Sequence, residues 1–402
     1  MSTAIFAAWA RMYSRNLAPH LVSLAADFPV VAVLGPRQSG KTTLCRMAFA
    51  DKPYVNLEEP DTRQFATTDP RGFLGEFATG AILDEVQNCP QLLSYLQSWV
   101  DRDQTAGRFV LTGSQQHGLH RDVAQSLAGR VGIAQLLPLA HDELGQFPHP
   151  PSELWATVWQ GGYPRIADRH IAPDRWLASY VATYLQRDVR QLLNVVDLQA
   201  FTSFLRLCAG RTAQELNLSD LGADAGASHN TARAWLSVLE ASFVCFRLPA
   251  WHTNIRKQVI KAPKLHFFDS GLACYLLGIH SAEQLQHHPL RGPLFETWVV
   301  SEVAKSRLNQ GKGMDLFHYR EATGLELDLL VDDGASLTAV EVKSGATVAS
   351  DWFRHLAGFA KATEGNHLGN RLRARVVFGG EFGQTRSAVE VVAWRQVAAV
   401  AW

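Results

Sequence analysis

GPRQSGKT, residues 35–42, stands between an apolar run, VVAVL, and a helical pattern, TTLCRMAF. A strand followed by a glycine-rich turn and a helix is the context that a phosphate-binding P-loop requires. The glycines let successive backbone N–H groups point at phosphate oxygens, and the N-terminus of the helix adds a favourable dipole. The alternative is a turn that matches the pattern by chance. The predicted ATP-binding residues are Gly35, Pro36, Arg37, Gln38, Ser39, Gly40, Lys41, Thr42 and Thr43.

Two acidic residues follow the P-loop at a distance that suits the second half of an ATP site. AILDE, residues 81–85, is an apolar strand that ends in Asp84 and Glu85. At the strand tip, Asp84 would hold Mg²⁺ through water beside the Thr42 hydroxyl, and Lys41 would reach the β- and γ-phosphates. Glu85 would be aimed at the water that attacks the γ-phosphate. The alternative is an acidic pair on the surface.

Two further polar positions are candidates for completing this site. RFVLTGSQQ, residues 108–116, ends in polar residues where a γ-phosphate sensor would sit, with Ser114 as the first candidate and Gln115 as the second. A serine that only caps a loop is the alternative. Arg130, in SLAGRV, would be an arginine finger that completes the site of a neighbouring chain, or else a structural surface arginine. The finger would imply a homo-oligomer.

Composition sets limits on the protein class. The chain has 402 residues, of which 47% are hydrophobic and 19% are charged. That length exceeds what one hydrophobic core supports, so several domains are expected and a wholly disordered chain is excluded. Lys+Arg and Asp+Glu both number 38, so contact with nucleic acid would need a local basic patch. The 5 cysteines are scattered, which argues for reduced thiols, and no apolar run reaches membrane-helix length. We expect a cytoplasmic, soluble protein without a membrane segment.

Three regions differ in their hydrophobic pattern. In residues 1–140, short β-branched runs (VVAVL, YVNL, AILDE, RFVLTG and GIAQLL) alternate with helical stretches, which predicts a parallel sheet with crossover helices. Residues 141–250 show long helical periodicity, and residues 251–402 mix helices with strands. The expected fold class is α/β multidomain, with a P-loop parallel sheet, a helical and winged-helix middle and a C-terminal α/β domain.

The phrases GPRQSGKTTL, AILDEVQ, LTGSQQ and SLAGR resemble a family of prokaryotic AAA-type ATPases that carry a C-terminal domain of unknown function. The resemblance covers nearly the whole chain, because GGYPR (161–165), YLQRDVR (184–190) and KLHFFDSGL (264–272) are also similar to that family. It implies an AAA-like sheet with an extra strand between the P-loop and carboxylate strands. It also implies ATP hydrolysis rather than phosphoryl transfer to a substrate.

Residues 213–248 have the pattern of a helix-turn-helix, with two short helices joined at GASHN. Ser228 is a suitable N-cap for the second helix, and FVCFRL would begin the first strand of a wing. A module that only packs between domains is the alternative. The predicted core positions are Leu216, Leu221, Ala225, Ala232, Leu236 and Leu239, and the predicted outward residues of the second helix are His229, Asn230, Thr231 and Arg233.

A basic segment follows, because residues 247–268 contain no acidic side chain. Five phosphate contacts would give a salt slope of about −4 on duplex DNA. A solvated linker, or a patch that docks on acidic parts of the tail, is the alternative. The cations are Arg247, Arg256, Lys257, Lys261 and Lys264, interleaved with Trp251, His252 and His266.

In the tail, Glu296 on a predicted helix precedes Asp328, Glu341 and Lys343 on predicted strands. Carboxylates on neighbouring strands can share Mg²⁺ or Mn²⁺, and Lys343 would steady charge that develops on a phosphodiester. This order resembles the restriction-endonuclease-like PD-(D/E)xK core of the junction-resolvase type, although Leu327 stands where that pattern has proline. Glu326 is a candidate additional member. A fold kept for binding or structure alone is the alternative.

Two functional hypotheses follow. One is an ATP-hydrolysing machine that acts on DNA and cuts it in the tail domain. The other is a nucleotide-dependent switch that controls binding of DNA or protein, with an inactive tail. A defence- or toxin-type regulator whose tail binds protein is a third class.

Overall fold

The computed structural model describes residues 13–114, 126–185, 197–251, 262–321, 324–364 and 371–402. The chain divides into two compact units. The first unit comprises the chain up to Leu139, together with Ala241–Phe243 and Leu308–Lys312. The second unit comprises Ala140–Glu240, Val244–Arg307 and Gly313–Trp402. The domain boundaries at 140 and 250 stay a prediction.

The first unit is built on a five-stranded parallel sheet. Its strands are β1 (Val30–Leu34), β2 (Tyr54–Asn56), β3 (Ala81–Asp84), β4 (Phe109–Gly113) and β5 (Val131–Gln135). Its helices are α1 (Ala18–Asp27), α2 (Lys41–Ala48), α3 (Pro60–Thr68), α4 (Pro70–Glu76) and α5 (Leu92–Arg102). All five strand runs expected from the sequence are present.

The strand order β2-β3-β4-β1-β5 places β4 between the P-loop strand and the carboxylate strand. The parallel sheet and the inserted strand are therefore confirmed. β1, β3 and β4 are buried along their whole length, as strands with both faces covered must be. The carboxyl ends of β1, β3 and β4 lie at the same edge of this sheet. This edge brings the P-loop, Asp84 and Ser114 together.

The helical part of the second unit begins with α6 (His141–Leu144), α7 (Leu154–Gln160), α8 (Pro164–Arg169) and α9 (Pro173–Tyr180), which a π-helical turn, Val181–Leu185, extends. A compact module follows: α10 (Leu198–Gly210), β6 (Gln214–Glu215), α11 (Leu218–Asp224), α12 (His229–Ala241), β7 (Cys245–Leu248) and β8 (Lys264–Phe267). Its antiparallel sheet has the order β6-β8-β7. This order of three helices and a small antiparallel sheet is the one expected of a winged helix; the assignment stays a prediction, and the module is called the winged helix below.

The C-terminal part of the second unit is a mixed six-stranded sheet with the order β13-β14-β12-β11-β10-β9. The strands are β9 (Leu316–Arg320), β10 (Glu326–Asp332), β11 (Leu337–Lys343), β12 (Leu372–Phe378), β13 (Gln384–Arg386) and β14 (Val389–Ala393). The helices are α13 (Ser270–Leu276), α14 (Ala282–His287), α15 (Arg291–Asn309) and α16 (Arg354–Thr363). The mixed α/β expectation holds, and the nuclease-like assignment stays a prediction.

GGYPR and FDSGL, two of the phrases that carry the resemblance, pack against each other. Asp269 caps α13 by accepting from the Leu272 N–H at 2.8 Å, and it accepts from the Gly162 N–H at 2.7 Å. A Cβ on Gly161 would lie 2.4 Å from an Asp269 oxygen, so only glycine fits there. Tyr163 is buried, with its ring centroid 4.8 Å from those of Trp176 and Tyr180. These phrases are structural, whereas YLQRDVR lies largely outside the described residues.

The five cysteines are free and buried, as expected for reduced thiols. Within the described ranges, no helix is both long enough and apolar enough to span a bilayer.

Candidate ATP site and carboxylate cluster

The P-loop of the first unit wraps tightly around the start of α2. Gly40, the N-cap of α2, has φ 94°, a left-handed conformation that glycine adopts without steric cost. A Cβ on Gly35 would lie 2.1 Å from the Leu136 carbonyl oxygen, so the loop requires glycine there as well. The Ser39 hydroxyl is buried and has no hydrogen-bond partner among the described residues. A buried donor in a phosphate loop fits a phosphate oxygen.

Lys41 is buried at the centre of the loop. Its ammonium donates to the Gly35 carbonyl at 3.0 Å and to the Pro36 carbonyl at 2.8 Å. Burial lowers the pKa of Lys41 to about 8, although the charges of Glu85 and Asp84 act in the opposite direction. Because the ammonium is poorly solvated, it is well placed to gain from a bound polyphosphate.

Asp84 ends β3 and accepts hydrogen bonds from three hydroxyl groups. Thr42 Oγ1 lies 3.0 Å from Asp84 Oδ2, Tyr54 Oη donates to the same oxygen at 2.7 Å, and Thr112 Oγ1 bonds Oδ1. Burial, followed by the bond to Asp84, raises the pKa of Tyr54. The predicted magnesium pair, Thr42 and Asp84, is therefore in contact. Hydroxyl partners leave the carboxylate charge uncompensated, which suits a divalent cation.

Glu85 has φ 56°, a conformation that is uncommon for a side chain of this size. This backbone turn brings its carboxylate to Gln87 Nε2 and to the Ser114 hydroxyl, which donates at 3.3 Å. Gln87 also lies 3.4 Å from Ser114 Oγ. The structure thus brings the predicted base and the predicted sensor together, while Gln115 lies outside the described residues.

Four residues at this site were not predicted from the sequence: Arg15, Tyr54, Gln87 and Thr112. Arg15 is buried and donates to the Ser39 carbonyl at 2.7 Å and to the Leu137 carbonyl at 2.8 Å. Gln87 lies inside AILDEVQ, and its proximity to Glu85 was the available signal. No local pattern marks Arg15, because its partners are 24 and 122 residues away.

Arg130 forms a two-point ion pair with Asp101 of the same unit, with Nη2 3.0 Å from Oδ2. This geometry favours the alternative of a structural arginine. An arginine finger toward a neighbouring chain stays a prediction.

In the second unit, the tail residues singled out from the sequence lie close together around a lysine. Lys264 Nζ from β8 is 3.1 Å from Glu296 Oε1, 3.0 Å from Glu326 Oε1 and 3.9 Å from Asp328 Oδ1. Lys264 is buried, with 4% of its side chain exposed. The register of β10 against β9 shifts between Leu327 and Leu330, an irregularity of the kind that re-aims side chains.

The second lysine of this carboxylate cluster is Lys343, whose ammonium donates to Glu341 Oε1 at 2.5 Å. The other oxygen of Glu341, Oε2, is buried without a partner among the described residues. Burial and the nearby Asp328 raise the pKa of Glu341 to about 7 and that of Glu296 to about 8. Burial alone would lower the pKa of Lys264, but Glu296, Asp328 and Glu326 outweigh it and raise it.

The predicted tail metal site, with Glu296, Asp328 and Glu341 as ligands, finds no support among the described residues. In the described parts of the chain, no group of three or more Asp, Glu, His or Cys side chains is placed to hold a metal ion. The physical reason is that the Lys264 ammonium already lies among the carboxyl groups that would be the ligands. The orphaned Glu341 oxygen is the one feature that favours a cation, and one oxygen does not make a site. Mg²⁺ or Mn²⁺ therefore does not fit the cluster as it stands.

Comparison with known proteins assigns the first part of the chain. Residues 27–145 match the family model of an AAA domain. This part is an AAA-type P-loop ATPase domain. Residues 152–283 and 291–395 match two domains of unknown function, DUF8612 and DUF4143. The ATPase half of the resemblance and the tail of unknown function are thus confirmed, and a restriction-endonuclease-like tail is not shown.

Two relatives match most of the chain. Uncharacterized proteins of Mycobacterium tuberculosis and Mycobacterium bovis are each 29% identical over 336 residues, which is 83% of this chain and 74% of theirs. Among solved structures, a Walker-type ATPase of Pyrococcus abyssi has a TM-score of 0.45 at 16% identity, over 66% of this chain and 96% of that chain.

The winged helix presents the predicted outward face. Ser228 accepts from the Thr231 N–H at 3.1 Å, which confirms it as the cap of α12. His229, Asn230 and Arg233 are exposed, whereas Ala232, Leu236 and Leu239 are buried. Leu221 of α11 and Ala225 directly after it are buried as expected, whereas Leu216 is half-buried and precedes the helix.

Two of the five cations of the basic segment are engaged within the second unit, and for Lys264 the alternative of docking on acidic parts of the tail holds. Lys264 is buried in the carboxylate cluster, and Arg247 pairs with Glu240 at 2.6 Å. Trp251 and His266 are buried too. The other members, His252, Arg256, Lys257 and Lys261, lie outside the described residues, in the connection between β7 and β8. With three cations left, the expected salt slope falls to about −3.

Proposed function

We propose that the AAA-type domain hydrolyses ATP with Mg²⁺ and that its nucleotide state controls binding of duplex DNA by the winged helix. The observation that supports hydrolysis is the convergence of Thr42, Asp84, Glu85 and Ser114 at the carboxyl edge of one parallel sheet. A P-loop alone would bind nucleotide. The second carboxylate, aimed by Gln87 and Ser114, adds a group that can take a proton from water.

Each residue then has a distinct role. Lys41 leaves the Gly35 and Pro36 carbonyls and contacts the β- and γ-phosphates, and Ser39 with the loop N–H groups holds the remaining oxygens. Thr42 and Asp84 hold the magnesium ion, which supplies positive charge against the phosphates. Glu85 takes the proton of the attacking water, and Ser114 keeps that carboxylate in place. Arg15 fixes the loop backbone through the Ser39 carbonyl.

The ATPase proposal is tested with purified full-length protein, Mg²⁺ and ATP. Calorimetry measures binding, and phosphate release measures turnover. We expect the wild type to bind and hydrolyse ATP and Lys41→Ala to lose binding, because Lys41 contacts the ground-state phosphates. Lys52→Ala, which removes a lysine from the turn after α2, is the matched control. A wild type that binds no ATP, or that binds it and releases no phosphate with or without DNA, contradicts the proposal.

The DNA part is supported by the helix order of the winged helix and by the exposed start of α12. In that fold the second helix of the pair enters the major groove, and its first residues reach base edges. His229, Asn230 and Arg233 are the exposed side chains there. Arg256, Lys257 and Lys261, which follow β7 in the sequence, would add cations for contact with the phosphate backbone.

Fluorescence anisotropy with a labelled duplex tests this part, in the presence of ADP or a non-hydrolysable ATP analogue. We expect binding that differs between the two nucleotides, weakens with salt at a slope of about −3, and falls in Arg233→Ala. Arg169→Ala, a substitution of an exposed arginine on α8, is the control. Equal DNA binding with both nucleotides would contradict the proposed control by nucleotide state. Absence of binding to any duplex would contradict the DNA proposal as a whole. Cleavage is not proposed, because the carboxylate cluster does not fit a metal.

A further inference from the structure

Lys264 is a buried charge that the ATPase and the winged helix do not use. It begins β8, and its ammonium lies among three carboxyl groups from two other elements, α15 and β10. A buried ammonium that keeps a raised pKa needs nearby carboxylates, since desolvation of an isolated charge is very unfavourable. The carboxyl groups around Lys264 therefore determine what this buried charge can do.

We infer that the Lys264 ammonium takes the place of a divalent cation in the carboxylate cluster, which makes the cluster an internal ion lock and a latent metal site. An ammonium has three N–H donors and no acceptor. Two carboxyl oxygens lie at 3.0–3.1 Å, hydrogen-bond distance, and the third is at 3.9 Å. A Mn²⁺ or Mg²⁺ ion bound to the same oxygens would need them at roughly 2.0–2.6 Å and would meet the ammonium charge directly. The two cations exclude each other.

The lock joins the two sheets of the second unit. β8 belongs to the small sheet of the winged helix, whereas Glu326 and Asp328 belong to the six-stranded sheet. A second connection lies nearby, where the Trp251 N–H donates to the His318 carbonyl of β9 at 2.7 Å. An ion pair between the two sheets fixes their relative position permanently, whereas a metal ion would fix it only while bound. In this chain the cation that joins the two sheets is part of the polypeptide and cannot dissociate.

Removal of the lysine should expose the oxygen ligands. In Lys264→Ala, Glu296, Glu326 and Asp328 lose their shared cation, and Glu341 Oε2 is already without a partner among the described residues. Oxygen ligands of this kind select hard divalent cations. The variant should therefore bind Mn²⁺ where the wild type does not.

The experiment uses full-length protein with Asp84→Asn in every sample, so that the ATP site contributes no metal binding, and without nucleotide. Thermal melts in EDTA and in MnCl₂ and electron paramagnetic resonance of free Mn²⁺ are the two readouts. We expect the background protein to show no Mn²⁺-dependent shift. Lys264→Ala should melt lower in EDTA, recover in Mn²⁺ and bind one Mn²⁺, and the further change Asp328→Asn should abolish that binding.

Lys305→Ala is the matched control, because Lys305 is also a buried lysine paired with a carboxylate, Glu302, at 2.7 Å. It should melt lower without recovery in Mn²⁺, which separates metal rescue from a general effect of lysine loss. A folded Lys264→Ala protein that gains no Mn²⁺ overturns the latent site. If that variant does not fold, the protein that carries only Asp84→Asn is titrated with Mn²⁺. Binding of one Mn²⁺ that is lost on the further change Glu341→Gln overturns the inference. Absence of bound Mn²⁺ supports the ion lock.

Discussion

The ATP site and the carboxylate cluster both combine lysines with acidic side chains, yet they differ in what neutralises the carboxylates. Asp84 accepts hydrogen bonds from the hydroxyls of Thr42, Tyr54 and Thr112, which orient it without adding charge. Glu296, Glu326 and Asp328 share the ammonium of Lys264. The first arrangement leaves a negative charge for magnesium, and the second removes that need. A sequence motif identifies the acidic residues, but the groups around them determine whether a metal ion can bind.

The largest expected effect tests the catalytic side of this comparison. In Glu85→Gln, the shape of the side chain is kept and the ability to accept a proton is lost. We expect hydrolysis to fall about 10²- to 10⁴-fold while ATP binding stays within a few-fold, because a general base acts in the transition state. Single-turnover phosphate release and calorimetry separate the two quantities. Equal losses in binding and turnover would mean that Glu85 holds the ground state instead.

The second prediction contrasts the two buried lysines through stability at pH 7. We expect Lys264→Ala to lower the free energy of unfolding by about 3–5 kcal/mol, the usual effect of removing one partner from a buried ion pair. Lys41→Ala should cost little or stabilise, because burial lowers the pKa of Lys41 and so disfavours its charged form in the folded state. The measurement is the thermal midpoint of each variant without nucleotide. Similar losses in both variants would contradict the comparison.

The signs of the pH dependence also differ between these lysines. The pKa of Lys264 is raised in the folded protein, so its stabilisation is present below the unfolded pKa near 10.5 and is lost only as the pH rises through the folded value. The pKa of Lys41 is lowered to about 8, so its unfavourable contribution is felt below about pH 8 and disappears in the range between about 8 and 10.5.

The sequence predicted the ATP site better than the carboxylate cluster for a physical reason. The P-loop is one contiguous segment whose glycines and helix start specify a backbone shape, and AILDE places Asp84 and Glu85 at a strand end. The extra strand β4 came from the family resemblance. In the cluster, Glu326 was anticipated through strand alternation next to Asp328. Lys264 was placed in a basic segment with three interpretations, contact with nucleic acid, a solvated linker or docking on acidic parts of the tail, and its ion pairs follow the third. Its partners could not be named from the sequence, because Glu296 is 32 residues away and only the tertiary fold brings them together.

A smaller effect is expected from the proton balance of ATP binding. With the pKa of Lys41 at about 8, roughly half of the nucleotide-free molecules lack this proton at pH 8, and the bound phosphates favour the ammonium form. Binding at pH 8 should therefore take up about half a proton, and uptake should fall toward zero below pH 7. Calorimetry in two buffers of different ionisation enthalpy measures it. Lys41→Arg is the control, since arginine stays charged throughout this range.

The smallest effect is expected at Arg130, whose pair with Asp101 is partly exposed on both sides, 31% and 39%. Surface pairs of this kind contribute little to stability because water screens them and both side chains lose freedom. We expect Arg130→Ala and Asp101→Asn to lower stability by a similar small amount and to leave ATP turnover unchanged.

The decisive measurement is the ATP turnover of a mixture of the Arg130→Ala protein and the Lys41→Ala protein. Each chain alone would then lack one component of a shared site, so recovered turnover in the mixture, against an unmixed control at the same total concentration, would assign Arg130 as a finger that acts on a neighbour. Absence of recovery together with normal turnover of Arg130→Ala would leave the arginine as a structural partner of Asp101, in contrast to Lys41 and Glu85.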